Sequence, residues 1–297
     1  MRTVLALVNR NRKLFFRDRG MLLESLITPV ILIVLYGTFL ANVYKESFES
    51  SLPDFMEVSD KLINGTVAAQ LAAALLAVSC VTVTFCVNLT MVQDRTNGTR
   101  KDFNVSPIRK PVIYLGYFFS TVLNSFMVNI LALLLCLGYI RKMGWYLSAG
   151  DIVWLFLDVV ILVLFGCVLS NIICYPLKTQ GQMAAVGTTV SAGYGFICGA
   201  YMPISNFGKG LQNVLSYLPG TYGTSMLKNH MLRGVFEEMK ANGFQDDVVT
   251  GIADSLDCNP KFHGNVVSTP SMVVIMIVSI LVLGAIYLVI TAMPEKE

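Results

Sequence analysis

Six stretches of mostly apolar residues, at 22–44, 66–92, 112–140, 152–175, 183–202 and 271–293, punctuate the chain. Each is about as long as the ~20 residues a helix needs to cross the hydrocarbon of a bilayer. In lipid the backbone must satisfy its own polar groups, so this pattern selects helices and discards most other folds. Composition agrees: 55% of the 297 residues are hydrophobic and 14% are charged, where a soluble domain carries about 25% charged residues. The expected fold class is an all-α membrane protein with six transmembrane helices. An N-terminal cytoplasmic interfacial amphipathic helix (2–19) precedes them, and short outer-leaflet re-entrant helices precede the last span. The whole of 1–297 reads as one transmembrane domain. The first apolar run is too long for a signal-peptide core and no small-residue cleavage site follows it, so no cleavable leader is expected.

Flanking charge sets the expected orientation. Ahead of the first run, Arg2, Arg10, Arg12, Lys13, Arg17 and Arg19 stand against Asp18 alone. Residues 45–65 are acidic, with Glu46, Glu49, Asp54, Glu57 and Asp60 against Lys45 and Lys61, whereas 93–111 are basic. Both termini and the 93–111 loop are therefore expected in the cytoplasm of a multi-pass plasma-membrane protein. Arg141 and Lys142 fall outside in this scheme and are expected to snorkel toward headgroups. On 2–19, Val4, Val8 and Phe15 share one helical face and Arg10, Lys13 and Arg17 the other, which suits a helix lying on anionic lipid. Residues 203–269 make the longest external segment. Its first part, broken by Gly and Pro, is expected to dip into the outer leaflet as short helices, and its second part to form a polar cap.

The chain carries no GxxxxGK[ST] phosphate loop, which excludes nucleotide binding by that route. His230 and His263 are too few for a His-based metal cluster, and no Cys pair has metal spacing. No nucleophile–base pair stands out, so an enzyme is not expected, and nothing points to nucleic acid. Six of the seven cysteines lie in apolar runs and read as small fillers; a bridge from Cys258 to Cys198 is an open alternative. Asp158 is the ionisable residue set well inside a span. It is either a functional group or an outer-mouth acid capped by a neighbouring helix or by Arg141. Glu24 is expected to pair with Arg17 or Arg19. Ser79, Thr82 and Cys86 recur at i, i+3 and i+7 in the second run, and Ser191, Tyr194 and Cys198 do so in the fifth. Such stripes either pack helices together or line a substrate path.

The segment QDRTNGTRKDFNVSP (93–107) carries a resemblance. Arg95, Gly98, Thr99, Ser106 and Pro107 are similar to the cytoplasmic-loop signature of type-2 ATP-binding-cassette (ABC) exporter permeases: Arg-Glu-x-Gly-Thr, a Leu five residues after the Gly, then Ser or Thr before Pro. Thr96 stands where the family usually has Glu, with Asp94 beside it as a substitute acid, and Phe103 stands for the Leu. Gly199, Pro203, Pro219, Tyr222 and Lys228 resemble the family's outer re-entrant motif, with Lys228 in place of a frequent Arg. The resemblance covers nearly the whole chain and is nearest to bacterial drug or antimicrobial-peptide export permeases. It implies a dimer with a second copy or a homologue, and separate ABC ATPase subunits that bind the ATP and Mg. Arg95, Gly98, Thr99, Phe103, Ser106 and Pro107 would couple to those subunits, with Phe103 as a hydrophobic anchor. The path would lie at the dimer interface along the second and fifth spans, and carry a drug, an antimicrobial peptide or a lipid outward. The alternatives are an ATP-independent secondary transporter or channel, a polysaccharide or glycolipid export permease, and a scaffold or sensor that moves nothing.

Overall fold

The computed structural model describes residues 2–35 and 59–292. Eleven helices are seen among them: α1 Arg2–Arg17, α2 Arg19–Leu35, α3 Asp60–Thr96, α4 Thr99–Val105, α5 Lys110–Met143, α6 Ala149–Cys174, α7 Gln180–Ile197, α8 Lys209–Leu215, α9 Pro219–Ala241, α10 Asp246–Ser255 and α11 Thr269–Ala292. A 3₁₀ turn at Ile204–Asn206 precedes α8. A two-residue hairpin, β1 Lys261–Phe262 with β2 Asn265–Val266, is the β structure among the described residues. The protein is thus helical as expected, with this small addition in the cap.

Helix α3 is the spine. Helices α2, α5, α6, α7 and α9 all pack on it, and its most apolar stretch is buried along its whole length. The cause is sequence: Ala68, Ala69, Ala72, Ala73, Ala74 and Ala77 are small enough to admit neighbours on every side. Ser59 caps its start by accepting from the Leu62 amide. On α6, a Cβ at Gly166 would meet Thr84 Oγ1 at 2.8 Å, so glycine permits the close α3–α6 approach. Capping boxes fix the entries of α6 (Ser148 with Asp151) and α7 (Thr179 with Gln182).

Among the described residues four helices, α3, α5, α6 and α11, are long and apolar enough to cross a membrane. They coincide with the second, third, fourth and sixth predicted spans. The first predicted span begins in α2, described over 17 residues, and most of the 45–65 loop lies outside the described residues. The fifth lies in α7, whose Gln, Thr, Ser and Gly content keeps it below that standard.

Three finer expectations are corrected. Residues 219–241 form one 23-residue helix, α9, which runs through the expected boundary between re-entrant and polar segments. Its glycines do not break it; they let it pack. A Cβ on Gly223 would meet Leu162 at 2.6 Å, and one on Gly234 would lie 1.8 Å from the Tyr146 carbonyl oxygen. The inner face of α1 is Leu7, Asn11 and Phe15, and Arg10 turns toward the bundle instead of away from it. Glu24 makes no ion pair with Arg17 or Arg19 among the described residues.

Candidate functional site

Helix α3 ends at Thr96, and Gly98, at φ 79°, turns the chain into α4. That left-handed conformation suits glycine. Helix α4 stops at Val105, Ser106 is extended, and Pro111 opens α5. The expected coupling segment is thus a short helix slung between two long ones.

Its base is tied to other parts of the bundle. Asp94 is buried and receives both terminal nitrogens of Arg10, at 2.6 and 2.8 Å, and the Tyr117 hydroxyl at 2.6 Å. One carboxylate therefore joins α1, α3 and α5 through charge-assisted bonds. The bond to Asp94 raises the Arg10 pKa, against the opposing effect of burial. The Arg10 guanidinium also lies 5.3 Å from the centre of the Phe103 ring. Beside it, Asn11 donates to Ser120 at 3.2 Å.

Arg95 reaches the turn between α6 and α7. It donates to the carbonyls of Tyr175 and of Leu177, the latter at 2.9 Å, and lies over the Tyr175 ring. Arg100 donates to the Tyr114 hydroxyl and stacks on that ring. Of the residues the motif singles out, Arg95 and Phe103 are thus engaged within the chain. Thr96 is exposed and donates to the Gln93 carbonyl, and Ser106 donates to that of Phe103. Gly98 has open space around it, and Pro107 is exposed. The large apolar side chain left standing out is Val105, 86% exposed. Sequence reading passed over it because a lone Val in a polar loop carries no periodic signal.

The two polar stripes part company. Ser79, Thr82 and Cys86 are buried inside the chain: Ser79 donates to Asn129 of α5, and Thr82 to the Val78 carbonyl. On α7 Tyr194 is buried and Ser191 is partly exposed, and Cys198, just past its end, is buried. Only the second stripe reaches the surface of the single chain.

Asp158 of α6 meets His230 of α9, with Nδ1 and Oδ2 2.6 Å apart, and His230 stacks on Trp154. Arg141 is not its partner. One turn along, Arg233 pairs with Asp151 at 3.0 Å. The outer motif also converges. Lys228, fully buried, donates to the Gly199 carbonyl at 3.0 Å and faces Asp257 at 3.8 Å. Asp257 in turn accepts from the Ile204 amide at 2.5 Å. Pro203 leads into the 3₁₀ turn, Pro219 starts α9, and the Tyr222 hydroxyl donates to the Ser216 carbonyl. The pairings of His230 with Asp158 and of Asp257 with Lys228 went unnoticed in the sequence because the partners lie far apart along the chain. Cys198 and Cys258 are free thiols, so the bridge between them is absent.

These features define a multi-pass helical membrane protein built around a clamped loop between two long helices. Residues 2–232 match the family described as ABC-2 type transporter. The chain belongs to that family, and is a permease subunit of an ABC transporter. A search of the curated proteins found no match.

Proposed function

We propose that this subunit is one half of an ATP-driven exporter in the plasma membrane, with both termini cytoplasmic. The whole of 1–297 acts as a single permease domain. A second copy or a homologue completes the transmembrane part. Separate ATPase subunits hold ATP and Mg and dock on the 93–111 loop, and an amphipathic or hydrophobic cargo (a drug, an antimicrobial peptide or a lipid) moves outward. The observation that carries this reading is the loop itself: α4 presents Val105 outward while Asp94, Arg95 and Arg100 bind its base to α1, α5 and the α6–α7 turn. A push on such an element reaches several helices at once. Val105 supplies an apolar contact for a partner cleft, and Asp102 and Pro107 flank it at the surface. The cargo path is assigned to the dimer interface, along the exposed side of α7 with Ser191.

The test is co-purification with the cognate ATPase together with coupled hydrolysis in proteoliposomes. Val105→Asp and Phe103→Ala should each weaken ATPase retention or uncouple hydrolysis from transport. Wild-type retention and coupling in both would remove the docking assignment. The pair Asp158–His230 favours a second reading, an ion-coupled transporter, because intramembrane acid–base pairs are common in that class. Cargo movement driven by a pH gradient in the permease alone, without any ATPase, would select it.

A further inference from the structure

A cavity of 360 Å³ lies between the 3₁₀ turn, α8, α9 and the turn from α10 to β1. Arg95 holds the turn from which α7 starts, so the far end of α7, and this cavity with it, is at the opposite end of the bundle from the 93–111 loop. Its size falls within the roughly 300–1,000 Å³ of small-molecule sites.

The charges around it are already matched. Lys261 meets Asp254 at 3.0 Å, and Lys228, behind the wall, faces Asp257 at 3.8 Å. An incoming cation would have to displace a lysine, and an anion would meet two carboxylates. The neutral groups are arranged differently. Thr221 and Tyr222 spend their hydroxyl protons on the carbonyls of Leu215 and Ser216. The Gln212 amide donates to the carbonyls of Ser205 and Phe207, and the Asn259 amide to Asp254. What these side chains keep for a visitor is mainly acceptor capacity, hydroxyl lone pairs and two amide oxygens, with the second Asn259 N–H as a donor. Ile204 and Pro260 add apolar wall.

An acceptor-rich, charge-balanced pocket with apolar patches fits a molecule that brings many uncharged donors on a C–H framework. We propose that this cavity binds a polyhydroxylated ring, the chemistry of a saccharide, either free or as the head of a glycolipid. The site is separate from the cargo path and does not depend on the direction of transport.

The experiment uses the full chain in phosphatidylcholine nanodiscs, free of glycoside detergents. Methyl β-glucoside and cellobiose are followed by saturation-transfer NMR, and glucosyl-diacylglycerol is tested by incorporation into the disc and thermal shift. Saturation of the sugar C–H protons supports the site with a soluble ligand; a shift with the glycolipid alone supports it and assigns the source to the membrane. Gln212→Ala and Asn259→Ala, on different elements, should each lower affinity at least tenfold, and the variant that keeps the wild-type melting profile is the one read. The proposal is overturned if neither sugar source binds, if spermidine or inorganic phosphate binds more tightly than both, or if the folded variant binds as the wild type does.

Discussion

Asp94 illustrates how much one side chain can organise. It sits one residue before Arg95, carries a buried charge, and holds Arg10 and Tyr117 at once. Removing it leaves Arg10 without its carboxylate and Tyr117 without its acceptor. Asp94→Ala should therefore lower stability by about 1.5–3 kcal/mol, the range for hydrogen bonds to charged groups, and Tyr117→Phe by about 1 kcal/mol. Thermal melts in detergent check both, and equal losses in the two would contradict the shared-carboxylate arrangement. Gly98→Val should cost about 1–2 kcal/mol, because φ is 79° there and a Cβ crowds the following carbonyl; the same melts measure it. Sequence reading placed an acid beside the unusual Thr96, yet Arg10 looked like part of a lipid-facing stripe. The pairing spans 84 positions, and nothing in local periodicity reports a contact of that range.

Among the elements, α9 departs most from what composition suggested. Gly and Pro at 219–234 read as breakers, while the structure uses Pro219 as a helix start and the glycines as points of close approach. Gly234→Ala should be costly although alanine favours helices. Its Cβ would collide with the Tyr146 carbonyl, and overpacking of this kind typically costs about 1–3 kcal/mol. A melt unchanged from wild type would show that α9 and the Tyr146 connection between α5 and α6 are not held at this distance. The cap that follows has its own pH response. Burial raises the Asp257 carboxyl, more than Lys228 and the amides of Ile204 and Ser205 lower it. Folding thus makes this carboxyl harder to ionise than it is in the unfolded chain. Its contribution to stability is complete below the ordinary carboxylate value and is lost as pH rises through the raised one. Asp257→Asn should accordingly gain on the wild type as pH rises through that window, measured as the difference between their melting temperatures. A difference that shrinks over the same window would contradict the assignment.

For the whole molecule, what was legible is what hydropathy encodes locally. The cores of α3, α5, α6 and α11 were found within a few residues, because a run of apolar side chains is a property of the run itself. Helix α7 sits where its span was expected, but its polar and glycine content leaves the crossing to be argued from packing. The meeting of Asp158 with His230, and of Lys228 with Asp257, depends on which helices become neighbours, and no single segment contains that information. Orientation can be tested cleanly, since all seven native thiols are buried. In the native-cysteine background, Val105→Cys should react with an impermeant maleimide only from the cytoplasmic side, and Asn242→Cys only from outside. The reverse pattern would invert the topology.

Helix α3 has 37 residues and no proline, which at 1.5 Å per residue makes a rod of about 55 Å, longer than the ~30 Å hydrocarbon layer. One end meets Arg10 and the loop, and the other lies against Tyr146 beneath α9. Without a proline the rod has no sequence-built kink, so a displacement entered at the loop end is carried along the helix toward Tyr146 instead of being absorbed at a hinge. A proline placed midway would give the rod a hinge and should weaken the mechanical link between the loop and the Tyr146 end.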